Sequence, residues 1–257
     1  MTTQPEIHTA HDTQWADYAA RLLLEISTEA IRSRGRFLLA LSGGSTPRRL
    51  YETVRKPQWK QRFDWHHMVF LFGDERCIPP DHPESNYRLA EAELFQPLGI
   101  DSERIYRMKG EHQDASAAAR EYEETIRLIT ERPAPAIPEL DLILLGLGDD
   151  GHTASLFPDT AALCDHTHLV AVGQAPRGIA LRLTLTLGVI NRASVVLFLV
   201  TSRPKAPMVR RVLEPRTEAD RQLPAALVRP DRGRLIWLLD QPAASDLIHL
   251  PSDKSTI

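Results

Sequence analysis

A histidine and two carboxylates stand side by side in Asp141-Leu-Ile-Leu-Leu-Gly-Leu-Gly-Asp-Asp-Gly-His-Thr-Ala-Ser-Leu-Phe-Pro158. An unperturbed imidazole titrates at a pH of ~6.5, so it can take and return a proton near neutrality. A carboxylate two residues away can hold it in one orientation. The pattern points to proton chemistry, with His152 as the base and Asp150 as its orienting partner. A lone histidine would more often cap or pack such a turn, and the adjacent acids favour chemistry instead. The spacing Gly146-x-Gly148-x-x-Gly151 also fits the dinucleotide-binding fingerprint. That fit fails chemically, because Asp149 and Asp150 would meet a pyrophosphate with negative charge and Pro158 curtails any following helix. Where the ribose-binding acid belongs, about 20 residues on, the chain has the apolar run Leu169-Val-Ala-Val172.

A second chemical segment is Leu41-Ser-Gly-Gly-Ser-Thr-Pro47. Thr46 suits an N-cap and Pro47 a first helical position. Ser42, Gly43, Gly44, Ser45 and Thr46 would then offer bare N–H groups and hydroxyls to a phosphate or carboxylate at the positive end of a helix. An ordinary capped turn explains the same residues equally well, and the missing Gly-Lys-Ser/Thr ending excludes a nucleotide triphosphate loop. Arg182 and Lys205 are additional cations that could reach a phosphate. A third segment, Phe72-Gly-Asp-Glu-Arg-Cys77, brings Asp74, Glu75 and Arg76 to the end of an apolar run. Arginine there can polarise a carbonyl or clamp a carboxylate, and Asp74 can bind sugar hydroxyls; standing alone, the segment would read as a local ion pair.

The elements that must position these residues are readable from periodicity. Strands are predicted at 37–41, 68–72, 142–145, 169–172, 180–183, 195–200 and 235–239. Helical patterns fall at 15–31, 47–54, 85–95, 115–129 and 205–213, the first stopped by Gly35. Strands alternating with helices predict an α/β fold, a single-domain, Rossmann-like, doubly wound and mostly parallel sheet flanked by helices. All three chemical segments then lie at the carboxyl ends of strands, where such sheets bind ligands. The Pro-rich stretch 132–138 is too short for a linker, so one domain is expected over residues 1–257, with its core at about 12–241 and a polar tail at about 251–257.

With 257 residues and 42% hydrophobic content the chain can build a sizeable core. A formal charge of −3 exerts no general pull on nucleic acid or an anionic membrane, so local cations must hold any anionic ligand. Cys77 and Cys164 form no disulfide framework, and the N-terminus lacks a signal-peptide pattern, which fits a cytoplasmic protein. His66, His67 and Cys77 lack a matching ligand cluster, so no metal is expected. The absence of a Gly-x-Ser-x-Gly elbow argues against a nucleophilic esterase.

Four ordered motifs, Leu41–Pro47, Asp74–Pro79 with Ser85-Asn86, Gly146–Pro158 and Arg182–Thr186, resemble those of the 6-phosphogluconolactonases, within a larger group that includes glucosamine-6-phosphate deaminases. The resemblance runs from about Trp15 to Leu239 and departs from the pattern at Ile78 and ahead of Lys205. It implies hydrolysis of 6-phospho-D-glucono-1,5-lactone to 6-phosphogluconate, the second step of the oxidative pentose phosphate pathway, without metal or organic cofactor. It also implies catalytic roles for His152, Asp150, Arg76 and Asp74, and phosphate binding by 42–46 with Arg182 and Lys205. The deaminase pattern has a ring-opening glutamate where this chain has Phe157, and Asp-Glu-Tyr where it has Asp74-Glu75-Arg76. A sugar-phosphate sensor is the rival from another class; it needs no base, and no helix-turn-helix or basic flank accompanies this chain. The expected partner is a phosphorylated sugar lactone, with neither nucleic acid nor membrane, and the chain is expected to be a monomer, with a homodimer as the alternative.

Overall fold

The continuous apolar runs that predict strands buried on both faces form the middle of a parallel sheet in the computed structural model, which describes residues 4–248. The tail expected at about 251–257 lies outside the described residues. Strands β2 (Phe37–Leu41), β3 (Met68–Phe72), β5 (Leu142–Leu145) and β8 (Val195–Val200) have the predicted bounds, and β9 (Arg234–Asp240) extends the prediction at both ends. Each of β2, β5 and β8 is buried throughout, as parallel strands covered on both faces must be. An additional strand, β1 (Glu6–Ala10), pairs only with β9. Its sequence Glu-Ile-His-Thr-Ala belongs to a half-covered edge and carries no apolar run, which is why periodicity passes over it.

The sheet order is β1-β9-β8-β5-β2-β3, all parallel. Chain direction across the sheet reverses between β2 and β5, so the loops following those two strands flank the switch point. Helix α1 (Asp12–Arg34) packs on β1, β2 and β9 and ends at Gly35, whose φ of 73° supplies the left-handed C-cap. Trp15 of α1 is fully buried and donates its indole N–H to Leu238 O at 3.3 Å. On the sheet, Trp237 stacks on Phe198 with centroids 4.0 Å apart and planes 4° from parallel.

One expectation is corrected. The alternation predicts one mostly parallel sheet for all the strands, and those predicted at 169–172 and 180–183 lie outside it. They form β6 (Val170–Gln174) and β7 (Leu181–Leu185) of a separate antiparallel sheet of order β4-β7-β6, where β4 is Asp74–Arg76. The reason is the connection. Between β6 and β7 the chain has only a tight turn, closed by Ala175 N–H on Ala180 O at 2.7 Å, whereas a parallel pair requires a crossover. Helix α4 (Ala115–Thr130) packs on β6 and β7. Two further helices matter below: α2 (Ser45–Val54) after β2, and α3 (Asn86–Ala90) after β4. The pattern predicted at 85–95 continues past α3 as a π-helical turn over Glu91–Phe95. Helix α5 (Ala206–Leu213) follows β8 through a short 3-10 turn that contains Lys205.

Candidate active site

The loop after β5 is built around its histidine. Gly148 N–H donates to His152 O at 2.8 Å and Gly151 N–H to Gly148 O at 3.1 Å, which closes a tight turn. Gly151 has a φ of 83°, a left-handed conformation that suits glycine. Gly148 is required for space: a Cβ there would stand 2.0 Å from His152 Nδ1, so the imidazole lies directly over the glycine. The Asp150 carboxylate accepts from His152 N–H at 3.1 Å and meets His152 Nδ1 at 2.5 Å. Burial pushes the Asp150 carboxyl up, but the bonds from the His152 backbone and ring outweigh it and hold it below the usual aspartate value. An ionised carboxylate can only accept, so Nδ1 carries a proton, and in the neutral ring the lone pair is then on Nε2. The Phe157 ring covers the imidazole, with centroids 4.4 Å apart.

The small sheet forms the facing wall. Side chains alternate along a strand, so Asp74 and Arg76 of β4 share one face, and their cross-strand partners Thr184 and Arg182 of β7 share it with them. Gly173 of β6, opposite Arg182, completes the face; a Cβ there would lie 2.6 Å from Ser155 O, which is how the His152 loop seats on this sheet. Asp74 is buried, takes Ser155 Oγ–H at 2.6 Å on one oxygen and Asn86 Nδ2–H at 3.1 Å on the other. Glu75 points the opposite way. Its buried carboxylate accepts from the N–H groups of Arg76, Asn86 and Tyr87 and from the Ser85 hydroxyl, pinning the start of α3. Burial raises its pKa against those bonds. The local Glu75–Arg76 ion pair that the sequence allows is therefore not formed.

Arg76 donates Nη1–H to Glu84 O, and its Nε is buried without a partner. Arg182, also buried, donates Nε–H to Ile179 O at 2.8 Å. Burial, and then the Arg76 guanidinium beside it, lower the Arg182 pKa from its ordinary value. Like charges directly opposite on paired strands repel, and an anion between them removes that cost.

These walls enclose a cleft of about 710 Å³ at the switch point. Of the residues singled out from sequence, His152, Asp150, Asp74, Arg76, Arg182, Lys205, Ser42 and Gly43 line it. Gly44, Ser45 and Thr46 are not among the lining residues. The N-cap expectation is also corrected: Gly44, with φ 103°, takes the cap position, α2 begins at Ser45, and the Thr46 hydroxyl bonds Thr201 Oγ1 at 2.9 Å. Thr46 has no cap to make because glycine supplies the backbone turn itself. The loop is fixed from below by Tyr51, whose hydroxyl donates to Ser42 O at 2.7 Å, and from the side by Asn86, whose Oδ1 would be 1.8 Å from a Cβ on Gly43.

Sequence reasoning missed Asn86, Ser155 and Arg177 as lining residues. Ser85-Asn86 stood in a noted motif without a role. For Arg177 the available signal was Pro176-Arg-Gly178, an arginine among turn residues between two strand candidates. Among the described residues no group of three or more His, Cys, Asp or Glu gathers to hold a metal ion.

A histidine–carboxylate dyad facing an arginine-bearing wall at the switch point of an open sheet defines an α/β protein equipped for acid–base chemistry on a small anionic ligand. Residues 10–237 match the family model described as glucosamine-6-phosphate isomerases/6-phosphogluconolactonase, and the chain belongs to that family. A 6-phosphogluconolactonase of Synechocystis is 42% identical over 86% of this chain and 88% of its own length. One from Homo sapiens is 38% identical over 86% and 84%. The solved 6-phosphogluconolactonase of Trypanosoma brucei superposes with a TM-score of 0.82 at 26% identity, covering 96% of this chain and all of the other. A monomeric glucosamine-6-phosphate deaminase shares the fold, with a TM-score of 0.77 at 22% identity over 94% of this chain.

Proposed function

We propose that this protein hydrolyses 6-phospho-D-glucono-1,5-lactone to 6-phospho-D-gluconate. The observation that carries the reading is the 2.5 Å contact between His152 Nδ1 and the Asp150 carboxylate in a cleft also lined by Arg76, Arg177 and Arg182. In this mechanism Nε2 of His152 takes a proton from water as its oxygen attacks the lactone carbonyl carbon. Arg76, whose side chain lines the cleft, stabilises the oxyanion that forms. Collapse of the tetrahedral intermediate breaks the bond to the ring oxygen, and the His152 imidazolium returns the proton to that oxygen. Asp74, with two donors already in place, presents its remaining lone pairs to sugar hydroxyls. The 6-phosphate is held by Arg182 and Lys205 with the part of the glycine loop that lines the cleft, Ser42 and Gly43. No step calls on a metal or organic cofactor.

The test is to generate the lactone with glucose-6-phosphate dehydrogenase and follow its loss with and without the protein. Decay well above the spontaneous rate is expected. Binding of the sugar phosphate with decay at the spontaneous rate would make the protein a sensor and overturn the reading.

A further inference from the structure

The turn after β5 carries two acids, and only Asp150 serves the histidine. Asp149 pairs with the loop after the neighbouring strand β8: its Oδ1 lies 2.5 Å from Lys205 Nζ. Both residues line the cleft, the Asp149 side chain 84% exposed and that of Lys205 27%. The other lining cations, Arg76, Arg177 and Arg182, make no ion pair among the described residues, so the fold places a carboxylate on one cation only. We propose that Asp149 is an intramolecular competitor for the phosphate of the substrate, occupying Lys205 and giving way when the phosphate arrives. The inference rests on the assignment of Lys205 to the phosphate in the proposed function.

The energetics permit such an exchange. An exposed ion pair is weak, so a phosphate dianion can displace the carboxylate, yet the displacement weakens binding by about two- to five-fold. The phosphate takes no part in bond breaking. Its contacts are the same in substrate, transition state and product, so the competitor acts on KM and on product affinity and leaves kcat alone. A lactone without phosphate has no claim on Lys205 and does not disturb the pair. Asp149 therefore sets how heavily the phosphate counts in recognition and weakens inhibition by the phosphorylated product.

Asp149→Asn tests this, as its amide keeps the shape without the charge. Expected are a two- to five-fold lower KM for the phospholactone, an unchanged kcat, an equally tighter Ki for 6-phosphogluconate and an unchanged KM for plain gluconolactone. In a Lys205→Met background the same substitution should have no effect, which ties the gain to the pair. Inorganic phosphate binding by calorimetry reads the competition without turnover, and a two- to five-fold tighter Kd in Asp149→Asn is expected there too. Equal phosphate affinity in wild type and Asp149→Asn overturns the inference, even when the wild type turns over the lactone and prefers it phosphorylated. If wild type shows no lactonase activity, the proposed function fails alone, and the calorimetric comparison still decides on Asp149.

Discussion

His152 can act as a base only while Asp150 keeps the proton on Nδ1 and Gly148 leaves room for the ring. Both neighbours were legible: the acid from its spacing, the glycine from its place in the turn. The reason for the glycine was not, because a clash is a property of the folded loop. His152→Ala is expected to fold normally and to lose about 10²–10⁴ in lactonase turnover, the usual contribution of a positioned base. Near-normal turnover in that variant would remove the role. Gly148→Ala removes no reacting group, but its methyl group would meet Nδ1 at 2.0 Å and so displaces the imidazole. Its turnover should approach that of His152→Ala, with a circular dichroism spectrum like wild type. Asn86 and Ser155 were not legible as lining residues, since an asparagine at a helix start and a serine in a turn look alike whether or not they face a cleft.

At the scale of elements, the parallel strands were readable because burial on both faces writes an unbroken apolar run. The small sheet was not: β4 is three residues, Asp-Glu-Arg, whose alternation sends one charge inward to cap α3 and two outward to the cleft. Support for the His152 loop comes from a further segment without apolar periodicity. Leu223 packs against Gly151, and Ala225 N–H donates to Gly151 O at 3.0 Å. The short helix Glu218–Arg221 just before it is closed by a capping box of Thr217 and Asp220. Hydrogen bonding to Arg211, and then to Thr217 and the backbone, outweighs desolvation and holds the Asp220 carboxyl at about 2. An aspartate depressed in the folded state adds stability that is present above its unfolded pKa, ~3.9, and is lost as the pH falls through the folded value. Asp220→Asn should therefore be less stable than wild type in urea at pH 7, with the gap closing as the pH falls from about 4 toward 2. A gap that stays constant across that range would show the carboxylate's ionisation to be irrelevant.

The molecule as a whole carries net negative charge yet gathers four cations around one cleft, so recognition of an anion is local and not a property of its overall field. Its fold is shared with a deaminase, and the difference must lie in particular side chains. Phe157 lies against His152, and an apolar ring cannot relay a proton. No ammonia should be released from glucosamine 6-phosphate in a coupled glutamate dehydrogenase assay; sustained release, with lactone hydrolysis at background, would reverse the functional assignment. No helix among the described residues is long and apolar enough to cross a membrane. The placement of the four tryptophans has an optical consequence. Trp15 and Trp237 sit in the core, Trp59 and Trp65 are tied to Asp17 and Lys60, and none lines the cleft. Intrinsic emission thus follows unfolding and stays dark to occupancy of the cleft, whereas an indole introduced by Phe157→Trp, seated on the imidazole, would make the arrival of a ligand visible.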